Sequence, residues 1–145
     1  MLEREYSTVI KRPVHEVFEY VTDPAKIPDW ASYIEDVRLN PPGPIGVGSE
    51  IIQTVRGREA IWQVTAYEPD MFCKYEADYW YATAEVTYRV ERVETGTRFS
   101  IHDKGYRKGL MRLVEPILNR IDIYYRKRQM EIIKEALEKE QFGAA

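Results

Sequence analysis

Three tyrosines and one aspartate are the side chains whose types and spacing in this sequence suggest chemistry. Tyr75 and Tyr79 lie four residues apart in one strand-like segment, Tyr88 lies in the next segment, and Asp103 lies near the end of a third. Because successive residues of a strand point to opposite faces of its sheet, all four can share one face. Their hydroxyls would orient the polar end of an apolar ligand, and an inward carboxylate could act as a polar anchor or a general base. The pattern predicts a ligand-binding wall.

Each of these assignments has a simpler alternative. The tyrosines, together with Trp62, are also compatible with an ordinary aromatic core whose hydroxyls reach its rim. Asp103 would be solvated at the cavity mouth if its strand ended before that residue. An acid–base role for a tyrosine would need a perturbed pKa, which a sequence does not reveal. The sequence therefore names no catalytic residue.

The other chemistry-bearing side chains form no recognisable motif. His15 and His102 are too far apart in the sequence for metal-ligand spacing, and His102 is expected to point outward. Cys73 lies among apolar neighbours, where it is best interpreted as a small buried hydrophobe. No Cys-His or Ser-His-Asp arrangement is suggested, and "GPIGVGS" matches no phosphate-binding fingerprint. We expect no metal and no cofactor.

The elements that must position these residues follow from periodicity and punctuation. A strand from Arg4 to Ile10 leads to a helix that starts at Pro13 and ends at Asp23-Pro24, since a residue before proline is pushed away from helical angles. Asp23 is then expected to cap a second short helix, and a strand from Ile34 to Leu39 follows. Five further strands are predicted as a meander: Glu50 to Val55, Ala60 to Tyr67, Phe72 to Tyr79, Val86 to Val93 and Thr97 to Asp103.

Face matching gives the expected registers of this meander. Opposite charges facing each other favour a loop from Trp80 to Glu85 between its two hairpins. The predicted cross-strand pairs are Val64 with Tyr75, Ala66 with Cys73, Tyr79 with Val86, Glu76 with Arg89, Tyr88 with Asp103 and Val90 with Ile101. The inner face would comprise Ile52, Thr54, Trp62, Val64, Ala66, Cys73, Tyr75, Ala77, Tyr79, Val86, Tyr88, Val90, Phe99, Ile101 and Asp103.

A long helix is predicted after a break at "KGYRKG" and extends to about Glu140, with Pro116 in its first turns or at a kink. Its apolar stripe includes Leu110, Leu113, Val114, Ile117, Leu118, Ile121, Tyr125, Ile132, Ile133 and Leu137. One strand, two short helices, a meander and a long helix make an α+β layout. A single helix across a curved sheet would leave room for a ligand cavity between them.

Composition and charge favour a globular chain with no general attraction for nucleic acid. The 145 residues fit one domain, 1–145, with 44% apolar residues and a net charge of −3. The N-terminal residues are too charged for a signal peptide, and no apolar run approaches membrane-spanning length. One cysteine fits a reducing compartment. We expect a cytoplasmic protein with no integral membrane segment and no nucleic-acid partner.

The segment 104–128 is locally basic. Its eight lysines and arginines against Glu115 and Asp122 give a charge of +6 (8 − 2). One hypothesis is contact with anionic lipid headgroups or an acidic ligand tail near the cavity entrance. The preferred interpretation is a solvated helix face, balanced by acidic residues one or two turns later. These are Glu131, Glu135, Glu138 and Glu140.

The stretch "VIKRPVHEVFEYVTDPAKIPDWASYIEDV" resembles the opening of the START-like (SRPBCC) superfamily, and especially its polyketide cyclase/dehydrase branch. "GPIGVGSE", "WQVTAYEPDMF", "GTRFSI" and "IIKEALE" extend the resemblance over nearly the whole chain. It implies a helix-grip fold, in which a curved antiparallel sheet wraps around a long C-terminal helix, with an apolar cavity for lipids, polyketides or hormones. Some members are cyclases or aromatases, while many only bind or carry. Trp30 is expected to be architectural, below the open edge of the sheet.

We therefore expect a START-like domain that binds a hydrophobic or aromatic small molecule, lipid- or polyketide-like, between sheet and helix. The expected ligand contacts are Trp62, Tyr75, Tyr79, Tyr88, Phe99, Asp103, Ile117, Ile121 and Tyr125. A cyclase or dehydratase of aromatase type, using cavity tyrosines and Asp103 for proton transfer, is the second hypothesis. A protein- or membrane-interaction module is the third. A homodimer is compatible with the sequence.

Overall fold

Seven antiparallel strands form one open sheet in the order β1-β7-β6-β5-β4-β3-β2. The computed structural model describes the backbone of residues 2–143 and the side chains of residues 2–139. The strands are β1 Leu2–Ile10, β2 Asp36–Asn40, β3 Glu50–Val55, β4 Arg58–Glu68, β5 Phe72–Asp78, β6 Ala82–Val93 and β7 Gly96–Arg107. The helices are α1 Val14–Thr22, α2 Ile27–Trp30, a 3-10 helix Gly109–Val114 and α3 Glu115–Gly143. The predicted α+β helix-grip architecture is confirmed.

The first helices follow from their prolines. Pro13, with φ of −62°, precedes α1, and α1 ends before Asp23, as predicted. Asp23 does not cap α2, however, because its Oδ1 accepts a hydrogen bond from the Ala25 amide at 3.0 Å and closes a turn before that helix. Trp30 is 2% exposed and packs edge-on against Tyr88 of β6, so it lies under the middle of the sheet and not at its open edge.

Two of the predicted registers are displaced by an even number of residues. Val86 faces Tyr75 instead of Tyr79, which shortens the loop between β5 and β6. Val86 also faces Asp103, for which the predicted partner was Tyr88, two residues further along β6. Because the side-chain period of a strand is two, every inward residue stays inward despite these shifts. The predicted inner face of these strands therefore holds although their pairing is wrong.

The predicted register between β5 and β6 is wrong because the charge pairs considered were only those between directly opposite residues. Glu76 faces Glu85 and not the predicted Arg89. The like charges are tolerated because the Lys74 amino group lies 3.1 Å from the Glu85 carboxylate, diagonally across the two strands. An ion pair on the diagonal thus replaces the predicted direct pair.

Two further predictions about the inner face are wrong, one because of a bulge in β4 and one because of the tight turn between β3 and β4. Val64 faces Tyr75 as predicted, but an irregularity between Val64 and Ala66 makes Tyr67, and not Ala66, the partner of Cys73. In β3, Ile51 is 2% exposed and lines the inner chamber, so Ile52 and Thr54 lie on the other face of the sheet, where Ile52 is also buried, at 8% exposed. The two-residue turn at 56–57, with φ of 51° and 75°, fixes this register.

The C-terminal helix departs from its predicted stripe in its first half. Pro116 is the second residue of α3, within the first turn, where its missing N–H costs no hydrogen bond. Leu110, Leu113 and Ile117 are 83%, 79% and 64% exposed, whereas Ile133 is fully buried. The predicted stripe merged two faces of the helix: among its described apolar residues, those in the core are Met130, Ile133 and Leu137. Among the described residues, no helix is long and apolar enough to span a membrane.

Candidate ligand-binding cavity

A cavity between the sheet and α3 consists of two adjacent chambers. The inner chamber has a volume of about 70 Å³ and the outer one, which opens to solvent, about 570 Å³. The residues that line both are Tyr33, Trp62, Val86 and Arg126. The inner chamber is also lined by Ile27, Trp30, Ala31, Ile34, Ile51, Gln53, Tyr75 and Tyr88. Tyr33, Trp62, Val86 and Arg126 therefore form the boundary between a small, mostly apolar chamber and a wide outer one.

A chain of hydrogen bonds crosses the cavity at this boundary. Arg126 Nε donates to Asp103 Oδ2 at 2.9 Å and Nη2 donates to Oδ1 at 2.6 Å. Arg126 Nη1 donates to Gln129 Oε1 at 2.7 Å, and the Gln129 amide donates to the Tyr33 hydroxyl at 3.1 Å. The chain joins β7 to α3 and α3 to the segment after α2. We call these four residues the polar bridge.

The ion pair at the centre of the polar bridge is largely shielded from water. The side chains of Arg126 and Asp103 are 17% and 25% exposed. Burial alone would lower the pKa of the guanidinium, but the Asp103 carboxylate outweighs it and raises that pKa overall, so Arg126 stays charged. Three of its five N–H groups are used within the bridge. The other two remain to donate to an acceptor in the cavity.

An aromatic wall surrounds the inner chamber. The ring of Tyr88 lies at its centre, edge-on to Tyr75 at 5.2 Å, to Phe99 at 5.9 Å and to Trp30 at 6.1 Å between centroids. The Tyr75 hydroxyl and the Trp30 indole nitrogen are enclosed and have no hydrogen-bond partner of good geometry among the described residues. Close aromatic contacts of this kind make the wall rigid and apolar.

The cavity tyrosines are hydrogen-bond donors and not bases at neutral pH. Burial raises the pKa of Tyr75 and of Tyr88 well above the usual value for a phenol. Burial also raises the pKa of Tyr79 to about 12 and that of the Cys73 thiol to about 11. All four groups thus carry their protons at pH 7. Cys73, fully buried, is an inert thiol, as its apolar surroundings predicted.

The structure brings six of the nine predicted ligand contacts to the cavity surface. They are Trp62, Tyr75, Tyr88, Asp103, Ile121 and Tyr125. Tyr79 lies beside it, edge-on to Trp62 at 6.4 Å and stacked on Tyr81 at 5.3 Å. Phe99 lies behind Tyr88 in the core, and Ile117 points to solvent. Contact between these residues and a ligand stays a prediction.

Asp103 lies within β7, which continues four residues further to Arg107. The alternative in which its strand ends first and leaves the carboxylate solvated is therefore wrong. Its partner, Arg126, and the residues Gln129 and Tyr33 were not among the site residues predicted from the sequence. Arg126 was grouped with the basic segment 104–128, yet it shares the helical spacing of the buried residues Met130, Ile133 and Leu137. A cation within a buried stripe is the signal that could have identified it.

The two histidines lie away from the cavity, whereas the outer chamber is also lined by the charged residues Arg4, Arg56, Glu85, Lys104, Arg107, Glu115 and Asp122. His102 points outward and its Nε2 lies 3.0 Å from Glu3, while His15 Nδ1 lies 3.0 Å from Asp70. In the part of the chain that the structure describes, no cluster of histidine, cysteine and acidic side chains could hold a metal. Within the basic segment, Lys108 pairs with Asp78 and Arg107 with Asp122. Acidic partners thus come from β5 and from inside the segment, in addition to the predicted later turns of α3.

Solved structures share this fold at low sequence identity. The protein MLL2253 from Mesorhizobium loti matches with a TM-score of 0.71 and 16% identity, covering 95% of this chain and 98% of its own. The Aha1 dimer from Colwellia psychrerythraea matches with 0.72 and 17%, covering 95% and 97%. The di-domain aromatase/cyclase BexL from the BE-7585A biosynthetic pathway matches with 0.72 and 14%, covering 94% of this chain and 50% of its own.

Sequence comparison identifies the family. No functionally curated protein matches the chain significantly. The family model for polyketide cyclase / dehydrase and lipid transport matches residues 1–138, nearly the whole chain. This agrees with the resemblance to the START-like superfamily seen in the sequence motifs. The chain belongs to the polyketide cyclase / dehydrase and lipid transport family.

Proposed function

We propose that this chain binds a hydrophobic or aromatic small molecule, lipid- or polyketide-like, in the cavity between sheet and α3. The observation that carries the proposal is a mostly apolar and aromatic inner chamber whose one charged lining residue, Arg126, keeps two N–H groups outside the polar bridge. Ligand sites in proteins are mostly apolar, with a few polar groups that fix orientation. The outer chamber, at about 570 Å³, lies within the usual size range of such sites.

The polar bridge suggests which oxygen the ligand carries. Arg126 is already neutralised by Asp103, through two hydrogen bonds. A ligand carboxylate would therefore meet a pair of no net charge and would lose its own hydration on entering. A carbonyl or phenol oxygen loses far less hydration and still accepts from the free N–H groups. The bridge therefore favours a neutral ligand with an acceptor oxygen over a fatty-acid anion.

A cyclase or dehydratase is the second candidate. Burial is the main cause that raises the pKa of the Tyr88 hydroxyl, while the Arg126 charge lowers it and the Asp103 charge raises it, so both charges are near that hydroxyl. A protonated phenol and a guanidinium at one site can polarise a ligand carbonyl, which would assist an intramolecular condensation. Binding is preferred because Asp103 is engaged by Arg126 and the tyrosines hold their protons, so neither is a ready base.

Calorimetric titration with three probes tests the proposal. We expect dihydroxyanthraquinone, which carries carbonyl and phenol oxygens, to bind more tightly than anthracene, which has no acceptor, or decanoate, which is an anion. Arg126→Met should weaken the binding of dihydroxyanthraquinone by about tenfold or more, because the ligand loses a hydrogen bond to a charged group. Arg128→Met, the same change on the exposed side of α3, is the matched control.

Two outcomes would contradict this assignment. Equal affinities of dihydroxyanthraquinone for the Arg126→Met variant and for the unaltered protein would remove Arg126 from the site. Tightest binding of decanoate would show that the pair does not exclude anions. Turnover of a polyketide-like chain that ends when Tyr88 is replaced by phenylalanine would favour the enzyme over the carrier.

A further inference from the structure

Large apolar side chains are exposed beside the cavity mouth. Trp80 is 85% exposed, Leu110 83%, Leu113 79% and Ile117 64%. Single exposed apolar residues are ordinary, but adjoining ones mark a surface that meets another body. The ligand cavity does not account for them, because none of the four lines either chamber.

These residues belong to one surface. The Lys108 amide donates to the Tyr81 carbonyl at 2.7 Å, and the Lys108 amino group donates to the Tyr79 carbonyl at 2.9 Å. The loop that carries Trp80 is thereby held against the start of the 3-10 helix. Leu113, at the end of that helix, leads into Ile117, which lies on the side of α3 opposite to the inward Arg126 and Ile133.

The unpaired charges on this surface are positive. Arg112, Arg120 and Lys127 are exposed between and beside its apolar residues. The acidic residues nearby are paired with other cations: Glu115 and Asp122 lie against Arg107 on the other side of α3, Asp78 pairs with Lys108, and Glu131 pairs with Arg128. Two copies of the chain meeting through this face would therefore bring cations against cations, which opposes a dimer here. The face is complementary to an anionic partner.

We propose that this docking face, formed by Trp80, Leu110, Leu113, Ile117, Arg120 and Lys127, binds the surface of an anionic lipid bilayer. A helix with apolar residues flanked by lysine and arginine lies in the interface of such a bilayer. Tryptophan prefers the headgroup level, and basic side chains add attraction to anionic headgroups. Tyr81 and Ile121, which neighbour Trp80 and Ile117 of the docking face, line the outer chamber, so docking would hold that chamber close to the bilayer.

Vesicle sedimentation of the full chain without added ligand tests this proposal. Phosphatidylcholine vesicles serve as the neutral probe, and vesicles with about one third phosphatidylglycerol as the anionic probe. We expect binding to the anionic vesicles only, and weaker binding as salt is raised. Arg120→Gln/Lys127→Gln should weaken it by roughly twenty-five-fold, since each cation near the surface contributes about fivefold. Lys26→Gln/Arg92→Gln, which removes two exposed cations elsewhere, should leave it unchanged.

Tryptophan fluorescence supplies an independent readout. Trp30 is 2% exposed and Trp62 is half-buried, so a blue shift on vesicle addition reports chiefly on Trp80. Trp80→Phe should abolish the shift, and Leu113→Ser should weaken sedimentation several-fold. Neither side chain packs in the core, so both variants should keep the folded circular dichroism of the parent.

Three results would overturn membrane docking. Equal binding of the two double variants would mean that net charge alone matters. Sedimentation with anionic vesicles but no change at Trp80 would place the contact elsewhere. A concentration-dependent dimer that Leu113→Ser dissociates, with no vesicle binding, would assign the face to a second copy. The assay contains no cavity ligand, so these results leave the calorimetric test of the cavity untouched.

Discussion

The Asp103–Arg126 pair is the residue-scale feature on which the cavity depends. Asp103 was predicted inward from strand alternation, because Ile101 and Phe99 precede it at a spacing of two. Arg126 was not predicted, since a sequence gives no sign of which arginine in a basic segment meets a distant carboxylate. The two residues come together only when α3 crosses β7. A long-range contact of this kind depends on tertiary packing and not on local pattern.

Removing one member of the pair should destabilise the fold. Asp103→Asn leaves the shielded guanidinium of Arg126 without its charge partner, and we expect a loss of about 2 kcal/mol in the free energy of unfolding, less than for a fully buried pair. Urea denaturation followed by circular dichroism measures it. Replacing both residues, as Asp103→Leu/Arg126→Met, should cost less than the two single changes added together.

A surface ion pair on the same helix is the control. Arg128 and Glu131 lie 3.3 Å apart and are 54% and 63% exposed. Glu131→Gln should change the free energy of unfolding by less than about 0.5 kcal/mol. If Asp103→Asn changed the free energy of unfolding equally little, the polar bridge would not stabilise the fold, and Asp103 would be better described as a solvated carboxylate.

At the scale of elements, nearly every strand and helix could be predicted from the sequence, but not every strand register or every face that packs inward. Alternation defined the inner face of the meander, and even-numbered register errors left that face intact because of the two-residue period. The bulge near Val64 escaped detection because no glycine or proline marks it. The face of β3 was reversed because Ile51 and Ile52 are both apolar, so alternation there was ambiguous.

Helix α3 illustrates the limit of periodicity most clearly. Its apolar residues satisfy a helical spacing along its whole length, yet Ile117 faces solvent and Ile133 faces the sheet. A pattern of apolar residues shows that one face of a helix is apolar, but it does not show which element of the protein, or which partner, covers that face. The second half of α3 meets the sheet, and the first half extends past it beside the cavity mouth.

Matched substitutions distinguish the two halves of α3. Ile133→Ala removes a fully buried side chain from the core, and we expect the free energy of unfolding to fall by about 3 kcal/mol. Ile117→Ala, the same change at a position 64% exposed, should alter it by less than about 0.5 kcal/mol. Urea midpoints of the two variants at equal slope give the comparison. Similar losses would mean that the first half of the helix also packs against the fold.

At the scale of the whole molecule, the sheet, α3 and the loop after β5 together give the protein a closed end and an open end. The buried end holds Trp30, Tyr75 and Tyr88, and the open end is bordered by the docking face. Motif order and spacing were sufficient to predict the helix-grip fold. The division of its cavity by the polar bridge was not predictable, because it arises from side chains of three separate segments of the chain.

A second concave site on the protein serves as a negative control for ligand binding in the cavity. A groove of about 650 Å³ lies between α1 and the loop at 43–45, lined by His15, Glu19 and Asp70 among others. Its polar and acidic walls differ from the aromatic cavity. A ligand chosen for the cavity should therefore leave the groove unaffected.

The most direct test of the account is nuclear magnetic resonance mapping of the bound probe. With nitrogen-15-labelled protein and dihydroxyanthraquinone, we expect the largest shifts at the Trp62 indole N–H and the Arg126 Nε–H. Both groups belong to residues at the boundary of the two chambers. Signals from Trp80 and from His15 should stay in place. Shifts confined to the groove at His15, or to the exposed Trp80, would contradict ligand binding between the sheet and α3.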